Sequence, residues 1–222
     1  MRKILVSVAA LMAVVLTAGA ALADFSPQFT MELSDLKAKA NPNLLFHMEF
    51  DAEDEEIGLF TAKIPAGFDI ASDEDIAQDD VVGAGEVTIS AGTACRPGPE
   101  GAIPLVAPVT IPATFKEKDR TDSEADSGVH SVWLLDLEPA NRVRLLVTGS
   151  PQRGWTVSGA PDPSDNTCNP LIVDLTINGV SGAGVPVITN PTKPGKYVFK
   201  AEISSQDSPS VAKFKQPVKI TK

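Results

Sequence analysis

The fold class of this chain is decided by SVWLLDLEPANRVRLLVTG, residues 131–149. Apolar residues alternate on both sides of its turn tripeptide Pro139-Ala140-Asn141, which is the pattern of two antiparallel strands joined as a hairpin. The alternating positions are Trp133, Leu135 and Leu137 before the turn and Val143, Leu145 and Val147 after it. Because Val132 and Leu134 make the other face of the first strand apolar as well, we expect that strand at the centre of the core.

The same two-residue period continues in both directions along the chain. Apolar and polar side chains alternate in five further segments, residues 29–33, 46–50, 60–64, 171–177 and 197–203. Proline, glycine and asparagine separate them, and no amphipathic helical pattern exceeds two turns. The chain is therefore predicted to be all-β with antiparallel strands, arranged as an immunoglobulin-like or jelly-roll-like β-sandwich with at most one or two short helical turns.

Residues 1–23 have the three parts of a secretory signal peptide. Arg2 and Lys3 precede an apolar run, and the segment ends in Ala21-Leu22-Ala23. An uncleaved anchor is the alternative, since the apolar stretch is almost long enough to span a bilayer. The Ala-x-Ala ending favours cleavage. We therefore predict an exported protein, extracellular, periplasmic or at the cell surface, whose residues 24–222 form a β-sandwich ectodomain that is not embedded in a membrane.

The charge of the chain argues against one class of partner. The formal net charge is −10, and it becomes −12 when cleavage removes Arg2 and Lys3. A negative excess of this size repels phosphate backbones, so nucleic acid is not an expected partner. It also disfavours adsorption on anionic lipid.

The most polar run of the sequence is KEKDRTDSEADSG, residues 116–128. It is either a linker between two packed halves of the ectodomain or the long exposed connection of a single domain. The two cysteines, Cys95 and Cys168, lie on opposite sides of this run, and a bridge between them favours two halves that behave as one body.

Cys95 and Cys168 are the only cysteines, and each lies beside turn residues. In an exported protein they are expected to form one intramolecular disulfide. The bond closes a loop of 73 residues, for which the chain-entropy model gives roughly 4 kcal/mol of stabilisation. Two free buried thiols or an intermolecular link are the alternatives.

Three short stretches resemble a group of exported bacterial β-rich proteins, many of them actinobacterial, whose function is uncharacterised. They are Leu36-Lys-Ala-Lys-Ala-Asn-Pro-Asn-Leu-Leu-Phe46, Ala62-Lys-Ile-Pro-Ala-Gly-Phe68 and Val185-Pro-Val-Ile-Thr-Asn-Pro-Thr192. The sequence departs from the group at Lys193-Pro194, where a cysteine is expected. The resemblance implies export and β structure, and it transfers neither an activity nor a site residue.

No catalytic grouping is evident in the sequence. The two imidazoles, His47 and His130, lie outside any nucleophile motif and are best interpreted as solvated strand residues. No Gly-x-Ser-x-Gly occurs. A carboxylate-dependent hydrolase needs two acidic groups about 5 to 10 Å apart in a cleft, and the sequence does not single out such a pair.

Two ligand classes have candidate residues. Calcium is a hard cation that takes several oxygens from one loop, and two acidic loops offer them: Asp73, Glu74, Asp75, Asp79 and Asp80 in one, and Asp162, Asp165 and Asn166 in the other. Solvated surface carboxylates are the alternative interpretation. A sugar ring could stack on Trp155 or Tyr197, with Trp133 expected in the core; packing is the commoner role of a tryptophan.

The sequence thus favours a secreted or cell-envelope, non-enzymatic protein that acts by binding or structural interaction. Its expected partner is an extracellular protein or polysaccharide of unknown identity, and no cofactor is required. The alternatives are a carboxylate-dependent extracellular hydrolase and a carbohydrate- or calcium-binding module.

Overall fold

The computed structural model describes residues 25–51, 57–90, 107–137, 141–159, 170–206 and 208–222. The strands in these ranges are β1 Gln28–Leu33, β2 Leu44–Glu49, β3 Ile57–Ile64, β4 Asp69–Ile70, β5 Val81–Ile89, β6 Val109–Lys118, β7 Val129–Leu137, β8 Asn141–Ser150, β9 Gly154–Gly159, β10 Pro170–Ile177, β11 Ile188–Thr189, β12 Gly195–Ser205 and β13 Val211–Ile220. One short helix, α1 Asp122–Asp126, lies between β6 and β7. None of the described helical structure is long and apolar enough to cross a membrane.

Eleven of the strands form one continuous antiparallel sheet, in the order β1-β2-β10-β5-β6-β7-β8-β9-β3-β12-β13. Because direction alternates and the number of strands is odd, β1 and β13 point the same way. The sheet curls until these two strands meet. Phe29 of β1 packs on Phe214 of β13 with ring centroids 5.4 Å apart, and Lys37 forms a parallel bridge with Thr221. The sheet is therefore nearly closed and barrel-like.

The prediction of an all-β, antiparallel chain is confirmed. The hairpin at residues 131–149 is confirmed as well, since Trp133 of β7 lies opposite Leu145 of β8. The β-sandwich, in contrast, is not the arrangement that the strand pairing shows, because a single ladder connects all eleven strands. Alternation indicates only that one face of a strand is buried, and a curled sheet buries that face as well as a second sheet would.

The polar run Lys116–Gly128 connects β6 to β7, which are neighbours in the sheet. Thr121 caps α1, since its hydroxyl accepts from the N–H of Glu124 while the Glu124 carboxylate accepts from the N–H of Thr121. The same carboxylate accepts from Nε and Nη2 of Arg144 on β8, at 2.8 and 2.7 Å. The Arg144 bonds, with the cap, lower the pKa of Glu124 to about 2. The connection is thereby fastened to the sheet.

Two connections, residues 65–80 and 178–194, close one end of the curled sheet, which we call the capped end. The small second sheet of β4 and β11 lies there, with Ile70 opposite Ile188. Phe68 and Ile76 from the first connection are buried in the core, and the Phe68 ring packs edge-on against Phe199 with centroids 5.0 Å apart. At the opposite end, which we call the far end, β5, β7 and β9 finish and β10 begins.

Glycines on β5 allow the close approach that the curvature needs. A Cβ on Gly85 would lie 2.0 Å from the carbonyl oxygen of Asp174 on β10, and one on Gly83 would lie 2.4 Å from that of Thr176. Both distances are far below van der Waals contact, so only glycine fits where β5 and β10 bend toward each other.

We therefore expect Gly85→Ala to destabilise the protein by about 2 kcal/mol, because the methyl group must displace the backbone of β10. Urea unfolding at neutral pH measures the effect. Gly195→Ala on β12 is the matched control, since a Cβ there meets only Tyr197, at 3.6 Å, and its stability should change by less than about 0.5 kcal/mol. Equal stabilities for the two variants would contradict this account of the curvature.

Candidate functional site

The inward side chains of the sheet do not fill the space that it encloses. A cavity of about 150 Å³ lies among them. Its aromatic lining is Phe46, Phe60, Phe115 and Trp133, and the remaining lining residues are aliphatic, methionine, glycine or proline. Among the described lining residues, Trp133 is therefore the only one whose side chain has a polar group.

The width of the sheet explains the cavity. The interior of a closed sheet grows with the number of strands, and about eight strands give an interior that side chains just fill. Eleven strands enclose more space than that. The lining reaches from Leu44 and Ile177 near the capped end to Ile89 and Pro170 at the far end. Pro170 and Ile177 are seven residues apart on β10, which corresponds to roughly 23 Å at the rise of a strand, so the cavity is long and narrow.

Aromatic rings connect the cavity wall to the seam between β1 and β13. Phe46 and Phe60 line the cavity and meet edge to face, with ring centroids 6.2 Å apart. Phe29 packs on both of them, at 6.1 and 6.2 Å, and on Phe214 across the seam. Offset and edge contacts of this kind contribute about 0.5 to 1.5 kcal/mol each beyond the buried area. Along β1 and β13 the seam is therefore held by aromatic packing, together with the short backbone bridge between Lys37 and Thr221.

A buried carboxyl lies beside the cavity on the capped side. Glu117 is fully buried, and its Oε1 accepts from the Ser131 hydroxyl at 2.8 Å and from the N–H of Val132 at 3.4 Å. Burial raises the pKa of Glu117 to about 7. Trp133, its cross-strand neighbour, turns an indole N–H toward the same carboxyl without reaching hydrogen-bond geometry.

Three buried polar atoms near this carboxyl have no partner in the described part of the chain: Glu117 Oε2, Trp133 Nε1 and Asp73 Oδ1. The other oxygen of Asp73 accepts from Nε of Arg120 at 2.7 Å. The cluster is a polar layer between the apolar cavity and the capped end.

The two histidines are placed differently from each other. His47 lies on the exposed face of β2, where Nδ1 bonds Oδ1 of Asp174 at 2.6 Å and Nε2 bonds Oε1 of Glu49 at 3.0 Å. The hydrogen bond to Asp174 has the largest effect on the pKa of His47 and raises it, and the bond to Glu49 raises it further. His130 is half-buried. Its ring packs on Trp155 with centroids 4.5 Å apart, so it is a packed residue rather than the solvated one expected.

Trp155 is not available as a platform for a sugar ring. Its side chain is buried, and its indole N–H donates to the carbonyl oxygen of Phe68 at 2.9 Å. Tyr197 is half-buried against Phe68, with its hydroxyl donating to the carbonyl oxygen of Lys193. Trp133 is buried, as predicted. The packing role, which the sequence favoured for Trp155 over a sugar platform, is therefore confirmed, because the capped end covers that ring.

The acidic loop proposed for calcium uses its carboxylates within the protein. Asp73 pairs with Arg120 and Asp79 with Lys118, while Asp75 accepts from the Ser72 hydroxyl. Glu74 lies 3.5 Å from Nη2 of Arg120, and Asp80 accepts from the N–H of Ala183. In the described ranges, no group of three or more histidine, cysteine, aspartate or glutamate residues is arranged to hold a metal ion. The second acidic loop, with Asp162, Asp165 and Asn166, lies outside the described residues.

Cys95 and Cys168 also lie outside the described residues, and their disulfide remains a prediction. The strands that lead to them are hydrogen-bonded neighbours, with Ile89 of β5 opposite Pro170 of β10. Cys95 follows Ile89 by six residues, and Cys168 precedes Pro170 by two. At up to about 3.5 Å per residue, these chain lengths are long enough to permit the bond.

The interpretation of the sequence missed the cavity and Glu117. One signal for Glu117 was available, because its position continues the inward series Ile111, Ala113 and Phe115 of β6. A carboxylate in phase with buried apolar residues is expected to be buried with a shifted pKa. The cavity has no such local signal, since it depends on how many strands share one sheet.

In comparisons with known proteins, no family model matches the chain, and no curated protein and no solved structure matches it significantly. Its function is therefore inferred from the geometry of the site.

Glu117→Gln should change how stability depends on pH. The pKa of this carboxyl lies above its ordinary value of 4.5 in the folded protein. The bound proton therefore stabilises the folded state, and this contribution to the free energy of unfolding is fully present below pH 4.5. It is lost as the pH rises through about 7, by roughly 3 kcal/mol at most. The neutral amide has no proton to lose. Relative to the wild type, Glu117→Gln should therefore gain stability from pH 4.5 to pH 8, measured by urea unfolding at each pH, and parallel profiles would contradict it.

The disulfide can be tested on protein that is purified without a reducing agent. Proteolysis under alkylating conditions, followed by mass spectrometry, should show one peptide pair that joins Cys95 to Cys168. Reduction of this bond should lower the free energy of unfolding by about 4 kcal/mol. Alkylated free thiols, or a dimer that dissociates on reduction, would exclude the intramolecular bond.

Proposed function

We propose that this protein is an exported, non-enzymatic binding protein that holds a slender apolar molecule, such as one hydrocarbon chain, inside its curled sheet. The observation that carries the proposal is the long apolar cavity, whose described lining residues include no charged side chain and one tryptophan. The signal-peptide pattern of residues 1–23 supports export. The missing catalytic grouping in the sequence supports binding rather than catalysis.

The size of the cavity indicates the size of the occupant. An engineered protein cavity of about 150 Å³ lined by aliphatic and aromatic residues stays dry and binds benzene. The cavity described here has the same volume distributed along the strands, so it suits a chain better than a compact ring system. Each methylene group of the ligand that becomes buried contributes about 0.8 kcal/mol to the free energy of binding. The loss of translational and rotational freedom on binding opposes this contribution. A chain of moderate length therefore binds in the micromolar range.

The alternative of a carboxylate-dependent hydrolase has one favourable feature, the raised pKa of Glu117. A pKa near 7 suits a general acid. Glu117 is fully buried, however, and does not line the cavity. Asp73, whose negative charge contributes to the raised pKa of Glu117, is paired with Arg120. The geometry of these residues supports binding better than hydrolysis.

Titration with the slender, uncharged polyene dye 1,6-diphenylhexatriene tests the proposal. Dye emission should rise on binding, with energy transfer from Trp133, which lines the cavity. Val173→Phe places a larger side chain in the lining and should weaken dye binding at least tenfold, with the variant still folded in a melting scan. Ile172→Phe, at the exposed neighbouring position of β10, is the matched control and should bind as the wild type does.

Straight-chain alcohols should displace the dye. Each added methylene should strengthen displacement about fourfold, the factor equivalent to 0.8 kcal/mol, until the cavity is full. A flat dependence on chain length, or equal effects of the two phenylalanine variants, would contradict the proposal.

A further inference from the structure

Three adjacent strands carry a concentration of lysines on their outer surface, the side that faces away from the cavity. It is the outer surface of β3, β12 and β13, which are adjacent strands in the order β3-β12-β13. Its six lysines are Lys63, Lys196, Lys200, Lys213, Lys215 and Lys219, all of them exposed. We call this surface the lysine face. Glu202 is the one acidic residue in the three strands, so a chain of net charge −10 has a strongly positive face.

Strand pairing places like charges directly opposite each other on this face. Lys196 is the cross-strand partner of Lys219, and Lys200 is the partner of both Lys215 and Lys63. Glu202 offsets part of this repulsion between lysines, since its Oε1 lies 3.4 Å from Nζ of Lys63 and the residue is paired opposite Lys213. Like charges in directly opposed positions destabilise a sheet. The arrangement therefore has a cost in the free protein that a bound anion would remove.

Protection of the sheet edge explains only part of the pattern. β13 is an edge strand, and lysine and proline on an edge discourage pairing with other chains. Lys213, Lys215, Pro217 and Lys219 fit that role. β3 and β12, however, are paired on both sides, so edge protection gives no reason for the lysines on them.

The lysine face is longer than it is wide. From Lys213 to Lys219 it is about 20 Å long, and its three strands make it about 10 Å wide. Two clusters of positive charge, around Lys196 and around Lys200, are four residues apart along β12, or roughly 14 Å. Between them, the exposed apolar Val198 lies opposite Pro217. A linear partner lying along the strands would meet positive charge, an apolar step and positive charge again.

We propose that the lysine face binds a linear acidic polysaccharide. A single polysaccharide chain is narrow enough to contact the lysine face alone. A bilayer or a nucleic-acid duplex extends beyond this face and is repelled by the negative charge on the rest of the molecule. Single-stranded nucleic acid binds through aromatic stacking platforms, and the outward positions of β3, β12 and β13 include no aromatic residue. The apolar step of Val198 and Pro217 suits the C–H face of a sugar ring. This inference is independent of the cavity ligand.

The test measures binding of the exported protein to immobilised polygalacturonate. The wild type should bind in low salt and dissociate in 0.5 M NaCl, because exposed charge pairs are screened. Lys200→Gln with Lys215→Gln removes the central opposed pair and should weaken binding about tenfold. Lys200→Arg with Lys215→Arg keeps the charges and should bind as the wild type does.

The matched control removes two positive charges from another side of the sheet. Arg142→Gln with Arg153→Gln, on β8 and in the turn that follows it, should leave binding unchanged. An equal loss in this variant would overturn the proposal, because net charge alone would then explain binding. The proposal would also be overturned if Lys200→Gln with Lys215→Gln bound polygalacturonate as tightly as the wild type does. Tighter, lysine-dependent binding to phosphatidylglycerol vesicles or to single-stranded DNA would replace the polysaccharide with that partner.

The glutamine variant should also remain folded, since neither Lys200 nor Lys215 has an ion-pair partner among the described residues. Its melting temperature in low salt should be no lower than that of the wild type, because a repulsive pair is lost. A lower melting temperature would mean that these lysines support the fold rather than a partner. In that case Lys196→Gln with Lys219→Gln repeats the binding measurement at the second opposed pair, and unchanged polygalacturonate binding there overturns the proposal.

Discussion

One uninterrupted backbone ladder through eleven strands is the constraint on which the rest of this structure depends. Nine of these strands have a hydrogen-bonded neighbour on each side, and β1 and β13 are the two edges. Antiparallel pairing with an odd number of strands leaves those edges parallel, so an antiparallel ladder cannot join them. Aromatic packing of Phe29 on Phe214 and the bridge between Lys37 and Thr221 hold the seam instead. The curvature that brings the edges together depends on residues such as Gly85, which lack a side chain at close approaches.

The width of the ladder also sets the character of the interior. Inward side chains from most of the strands pack into a core that they do not fill completely, and the remaining space is long and apolar. The capped end is different, because residues 65–80 and 178–194 fold back into it and bring polar groups with them. Asp73 from the first connection joins Glu117 of β6 and Ser131 of β7 in a polar layer there. A fully buried carboxyl is tolerated because its raised pKa lets it hold a proton near neutral pH.

Charge is segregated on the outside of the same sheet. The lysine face occupies three adjacent strands, while acidic side chains are spread over the connections of the capped end and over the rest of the surface. The two proposed activities use opposite faces of the strands: the inner face for an apolar occupant and the outer face for an acidic polymer. A protein that binds an envelope polymer while it holds an apolar molecule would keep that molecule close to the cell. Neither binding activity requires the other, since the cavity lining and the lysine face share no residue.

The sequence by itself determined the class of secondary structure, the inward face of the strands that alternate clearly, and the hairpin of β7 and β8. These features are local, because a period of two and a turn tripeptide are visible within a dozen residues. The burial of Trp133 followed from the same local pattern, and the buried position of Glu117 was available from it. Only the tertiary structure decided that the strands share one curled sheet, that an apolar cavity remains inside it, and that Trp155 is covered by the capped end. These outcomes depend on which distant strands pair, as with β3 beside β12 or β10 between β2 and β5. Alternation specifies that a face is buried and carries no information about what covers it.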